Sequence, residues 1–186
     1  MHSKTIIETI FYLLTKKESA DKIQLIKWVY LADKCHLVKY GRTITGDQYY
    51  AMQYGPVGST VKDVLELNGL PGPEAKYAES LIENIDNVTF KRRKDAPKVA
   101  FNQLSETDRE ALDFVIKKFG NMGSWELKDY THKYPEWKQH ERRLKTASRR
   151  GKINTEELFS LLRNDYIAVP PERLKLAKEI FSGKFE

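Results

Sequence analysis

The chain has 186 residues, 40% of them apolar and 31% charged, enough for one domain with a sizeable core and too well mixed for wholesale disorder. A single cysteine, Cys35, excludes an intramolecular disulfide and a multi-cysteine zinc site, and 32 basic against 26 acidic residues leave a net charge of +6. No apolar run approaches the ~20 residues of a membrane helix, and Ile6–Leu14, broken by Glu8 and Thr9, makes a poor secretory leader, so a cytoplasmic protein with no membrane association is expected.

Ile6, Ile7, Ile10, Phe11 and Leu14 recur at helical spacing and predict a helix over about 3–16, with Thr5 and Glu8 in capping-box register. A second helix is expected from near Ala20 to Tyr40, closed by Gly41. Its apolar residues form two stripes, Leu25/Trp28/Val29/Ala32/Cys35 and Ile26/Tyr30/Leu37/Tyr40, the pattern of a helix covered on most of its circumference. From Arg42 to Ser59 the chain reads as an extended segment or short strand ending at Gly55-Pro56, on which Tyr50, Met52 and Tyr54 share one face and Tyr49 takes the other. A third helix follows from Gly58 or Ser59 to about Asn68, residues 76–86 read as helical, and Asn87–Lys91 is placed in a hairpin with Lys98–Phe101.

Ser105 with Asp108 opens a helix that ends at Gly120, and Ser124 caps a short one through Trp125, Leu127 and Tyr130 that Pro135 limits. Asn154 with Glu157 opens another for Leu158, Leu161 and Leu162, and Pro170-Pro171 opens the last, carrying Leu174, Ala177, Ile180 and Phe181. The expected fold is mainly α (α+β), a compact helical domain over 1–140 with a small β element. A basic linker and a C-terminal two-helix extension occupy 141–186.

Asp33, Cys35, His36 and Asp47 hold the most catalytic potential, and their spacing argues against it. Asp33 and His36 are within reach of each other on one helix, but Cys35 lies about 100° around the axis from His36, so a Cys–His pair would need His132 or His140 through a tertiary contact. Cys35 reads as a small core hydrophobe, and His36 as a polar residue bonded to Asp33 or to backbone. The histidines form no i,i+3 or i,i+4 pair, and Gly55-Pro-Val-Gly58 lacks the Lys-Ser/Thr ending of a phosphate loop. No metal, cofactor or enzymatic activity is expected.

The charge is local. Residues 138–152 hold seven basic side chains (Lys138, Arg142, Arg143, Lys145, Arg149, Arg150, Lys152) against Glu141 alone, while the remaining 25 basic and 25 acidic residues cancel. With Lys91–Lys94 nearby in composition and Trp137 as a stacking candidate, nucleic acid is the alternative partner. No base-reading helix pattern accompanies the stretch, so a solvated loop, or one facing an acidic protein, is the favoured reading.

One ordered series of residue types goes beyond amphipathic patterning. Lys27-x-x-Tyr30-Leu31-Ala32 leads through His36 and Tyr40-Gly41 to Ile44-Thr-Gly-Asp47, and an aromatic-rich stretch closes on Tyr54-Gly-Pro-Val57. Leu104-Ser-Glu-Thr-Asp108, Phe119-Gly120, Ser124-Trp-Glu-Leu127, Thr131-His132 and Pro135-Glu-Trp137 follow. Over roughly 20–140 the sequence resembles the Panacea domain, the SocA-like antitoxin family of bacteria and their phages, although 70–103 does not align by motif and the tail from Glu141 lies outside. The resemblance implies a non-enzymatic antitoxin that binds a cognate toxin, usually encoded beside it, and holds it inactive by direct contact. Contact candidates are Lys27, Tyr30, Asp33, His36, Arg42, Asp47, Tyr49, Tyr50 and Tyr54, with Gly41, Gly46, Gly55 and Pro56 serving backbone geometry. A second reading stands beside this one, in which most of the motif residues hold the scaffold together.

Overall fold

A computed structural model describes residues 2–147 and 149–183. Helix α1 (His2–Lys16) leads through the short strand β1 (Ser19–Asp21) into α2 (Lys22–Tyr40). The Asp21 carboxylate accepts the Gln24 N–H at 2.9 Å, the Gln24 side chain accepts the Asp21 N–H at 3.0 Å, and Gly41 at φ 74° closes the far end by donating to the Leu37 carbonyl. Strands β2 (Tyr49–Met52) and β3 (Gly55–Gly58) make a hairpin, followed by α3 (Ser59–Glu66), α4 (Gly72–Leu81), β4 (Ile82–Asn84) and β5 (Thr89–Arg92). Then come α5 (Glu106–Phe119), α6 (Ser124–Thr131) and the short α7 (Pro135–Lys138) and α8 (Glu141–Thr146). The tail holds β6 (Gly151–Ile153), a 3-10 turn (Thr155–Phe159) and α9 (Pro171–Ser182). The class is mainly helical α+β, as read from the sequence. Among the described residues no helix is long and apolar enough to cross a membrane.

The second helix is the hub. Every residue from Leu25 to Val38 is buried, because α1, α5, α6, α9 and the β2–β3 hairpin's second strand close around it. The two expected apolar stripes have thus merged, and the polar residues between them must find partners inside the protein. Two small antiparallel sheets flank the helices, ordered β1-β5-β4 and β3-β2-β6. In the second, Tyr49 lies opposite both Gly58 and Ile153, so the tail supplies an edge to the hairpin.

Several elements differ from expectation for reasons that lie in tertiary structure. The first helix starts ahead of Thr5, whose carbonyl accepts the Thr9 hydroxyl at 2.7 Å, so Thr5 does not cap it. The fourth ends at Leu81, and 82–84 turns outward as a strand that pairs with 89–92 around an Asx turn in which Asp86 accepts the Val88 and Thr89 N–H groups. The Lys98–Phe101 strand does not form: Phe101 packs its ring against Phe11 and Tyr12 instead. Ser124 is the first helical residue and not the cap, since its hydroxyl is turned to the Asp21 carboxylate. The capping box of Asn154 and Glu157 is present, but it starts a 3-10 turn, because the Leu158 and Ser160 carbonyls that a longer helix would use accept from Lys34 Nζ.

Candidate functional site

Six of the nine contact candidates sit inside the protein. The Asp33 carboxylate accepts the N–H groups of Ile44 (2.8 Å) and Thr45 (2.9 Å), the Tyr49 hydroxyl (2.7 Å) and the Thr45 hydroxyl. It pins the loop after α2 and the start of β2 to the hub. Burial pushes its pKa up to about 6, against the pull of those donors. Asp33 therefore does not hold His36, as the sequence allowed. His36 Nδ1 faces the Arg42 carbonyl at 2.8 Å, which places a proton there, and Nε2 stands 3.0 Å from Thr107 Oγ1 and 3.1 Å from the Asp108 carboxylate. Burial lowers its pKa, against the upward pull of the Arg42 carbonyl and the Asp108 carboxylate.

Asp47 caps α3 from a distance, accepting the Thr60 N–H at 3.0 Å and the Val61 N–H at 2.9 Å. A Cβ at the neighbouring Gly58 would run into the Asp47 carboxylate. Tyr30 donates to Glu136 at 2.6 Å, and that carboxylate also meets Lys34 Nζ at 2.5 Å with both side chains fully buried. Lys27 is 1% exposed. Its ammonium donates to the Pro56 carbonyl at 2.8 Å, and burial lowers its pKa to about 7. Cys35 is buried among apolar neighbours, which raises its thiol to about 11 and fits the core role assigned to it.

Lys27, Tyr30, Asp33, His36, Asp47 and Tyr49, read from the sequence as contact candidates, are thus buried and bonded to internal partners, the placement expected of residues that hold the scaffold together. The backbone motif fits the scaffold reading. Gly41 is left-handed, and a Cβ there would come 2.6 Å from the Ala177 carbonyl of α9. Gly55, at φ 104°, lies so close over Lys27 that a Cβ would stand 2.8 Å from Nζ, while Pro56 supplies that ammonium's acceptor. Gly46 is also left-handed.

Arg42, Tyr50 and Tyr54 remain within reach of solvent. Arg42 Nη2 donates to Asp108 at 2.8 Å and to Ser105 at 3.1 Å. Half-buried Tyr50 is covered by the Arg150 guanidinium, 4.8 Å from the ring centre. All seven cations of 138–152 are exposed. Trp137 is not available to stack on a base: it is buried, donates Nε1–H to the Met52 carbonyl at 2.8 Å and stacks on His132 at 3.5 Å.

The surface that remains centres on the hairpin tip. Gln53 and Tyr54 separate two cavities of about 580 and 610 Å³, with Leu144 of α8 shared between them. The first has an apolar wall of Ile23, Ile26, Met52 and Val57 and reaches Lys27; the second includes His132 and Trp137. Trp125 stands edge-on to Tyr54 at 5.9 Å, and the two are 61% and 47% exposed. Beyond Trp125 a third cavity of about 550 Å³ runs to Tyr130 and Tyr166. Adjacent exposed aromatics flanked by concave apolar surface are the residue types and shape that concentrate protein-binding energy. Trp125 was not among the candidates read from the sequence, nor were Lys34 and Glu136.

The family model described as antitoxin SocA-like, Panacea domain matches residues 25–138. No curated protein and no solved structure matches the chain. The match starts within two residues of Lys27 and ends just past Trp137, so it takes in the buried hydrogen-bond frame, the hairpin and the exposed Trp125. The chain belongs to the SocA-like antitoxin family and carries its Panacea domain over those residues.

Proposed function

We propose that this protein is an antitoxin that neutralises a cognate bacterial or phage toxin by direct, non-enzymatic contact, docking through the aromatic surface at the hairpin tip. The observation that carries the reading is the Tyr54–Trp125 pair, both rings exposed and set between cavities, in a chain of antitoxin-like family. Rigid aromatics supply contact area at low entropic cost. The buried motif residues act behind them: Asp33 holds β2 to the hub, Lys27 ties down β3 through Pro56, and together they fix where the tip projects. The exposed cations of 138–152 continue the same face through Leu144 and Arg149 and suit an acidic partner.

Co-expression with each flanking open reading frame tests this. One flanking product is expected to arrest growth alone, to be tolerated when this chain is present, and to co-purify with it. Flanking products that are harmless alone, or toxicity that persists beside well-expressed folded protein, would contradict the proposal.

A further inference from the structure

We propose that the cavity between the hairpin tip and α8 receives a short segment of the bound protein in which apolar side chains stand beside an acidic one, the apolar groups filling the cavity and the carboxylate meeting Arg149 at its rim. The inference rests on the docking surface proposed above and names the chemistry that surface takes. At about 580 Å³ the cavity lies within the roughly 300–1,000 Å³ of pockets that enclose a drug-sized ligand, room for more than one side chain. Ile23 and Ile26 from α2, Met52 and Val57 from the hairpin and Leu144 from α8 make its wall. Ile23, Met52 and Leu144 are only half-buried, so apolar surface still faces water there, and Met52 is an unbranched side chain that adapts to what covers it.

The rim sets the sign of the charge. Lys22 and Lys62 share Glu66, Lys62 at 2.6 Å, and among the described residues Arg149 has no carboxylate within 4 Å. Three rim cations thus stand against one carboxylate, and Arg149 is exposed, so an incoming acid reaches it without displacing an internal partner. Lys27, at the same cavity, takes no part, being 1% exposed and bonded to Pro56. Across the tip, the lysines lining the second cavity are already engaged, Lys128 with Asp129 at 3.1 Å and Lys145 with Glu141 at 2.7 Å. A basic segment would be repelled at the first cavity, and a wholly polar one would leave its apolar wall without a partner, so the site selects against both.

Panning a phage-displayed random dodecapeptide library on the folded full chain tests this. Enriched peptides are expected to carry apolar residues next to Asp or Glu. The best of them, made synthetically, should bind unaltered protein about thirtyfold more weakly once its apolar anchor is replaced by alanine, and about fivefold more weakly as its Glu→Gln or Asp→Asn version. Arg149→Glu, a change at an exposed residue, should cost the acidic peptide about fivefold and the amide version less, while Ile23→Ser should weaken both. Enrichment without acidic residues or without apolar ones, equal binding of the acid and amide peptides, affinity unmoved by Arg149→Glu, or no enrichment at all would overturn the proposal. So would self-association of the chain that Ile23→Ser abolishes, which would give the cavity to a second copy. These outcomes separate from the antitoxin reading: a chain that protects cells from its neighbour's product but shows no such peptide preference keeps the antitoxin function and loses this site, and the preference without any toxic neighbour does the reverse.

Discussion

Replacing Glu136 by alanine is expected to remove about 3–5 kcal/mol of stability, the range for breaking a buried ion pair from one side. The Lys34 ammonium, 2.5 Å from Glu136 and 4.1 Å over the Tyr134 ring, would keep only the carbonyls of Leu158 and Ser160, and the Tyr30 hydroxyl would lose its acceptor. Burial already lowers the Lys34 pKa while Glu136 pulls it back up, so without the carboxylate the lysine must lose its proton or the 3-10 turn must lift away to admit water. At roughly 2–4 °C per kcal/mol for a chain of this length, melting should fall by roughly 10 °C. Replacing both partners, Lys34→Met with Glu136→Leu, should recover part of the loss, since it removes the unpaired ammonium but leaves the Tyr30 hydroxyl and the Leu158 and Ser160 carbonyls without their partners. Denaturant titration of the three proteins at pH 7 checks this. A single variant within about 1 kcal/mol of wild type would show that the pair does not hold α2, α7 and the tail together.

Asp33→Ala is expected to be nearly as damaging, by about 3 kcal/mol at pH 7, because two buried N–H groups and two hydroxyls lose one shared acceptor. Its pH dependence has an unusual sign. The folded pKa, about 6, lies above the ordinary 3.8, so between those values the folded protein holds a proton that the unfolded chain has released. Stability from Asp33 is therefore greatest below pH 4 and falls as pH rises through 6, by about 3 kcal/mol for a shift of this size. The deficit of the alanine variant should be largest near pH 4 and narrow toward pH 7. A deficit that widens with rising pH, as for an ion-paired carboxylate, would contradict the account of a desolvated, hydrogen-bonded anion.

The readings that succeeded concern local physics. The Ser105–Asp108 and Asn154–Glu157 capping boxes, the left-handed Gly41 and the proline-led start of α9 all involve groups a few residues apart, so a linear pattern suffices. Period-two alternation likewise separated inward Tyr49 from Tyr50. What was illegible depends on distant chain: the pairing of 89–92 with 82–84, the docking of β6 on β2, and the shortening of the helix at 155 by a lysine on α2. The burial of six contact candidates was illegible for a related reason. Lys27, Asp33 and His36 look like surface chemistry one residue at a time, but apolar neighbours occupy every side of their helix, which is the signal that they lie inside it. Lys34, between Tyr30, Leu31, Leu37 and Val38, carried the same signal. Trp125 could have been found from spacing alone: two positions before buried Leu127, it falls about 200° around the helix from that face.

The central claim is that the exposed aromatics, and not the buried motif, meet the partner, and the most direct measurement is cell survival with the toxic neighbouring product. A chain carrying Tyr54→Ala with Trp125→Ala should fold and accumulate as wild type does, since both rings are exposed. It should nevertheless lose protection, as removal of a paired aromatic anchor costs about 2 kcal/mol or more of binding per residue. Undiminished protection by that double variant at equal expression would contradict the claim and move the contact elsewhere on the surface.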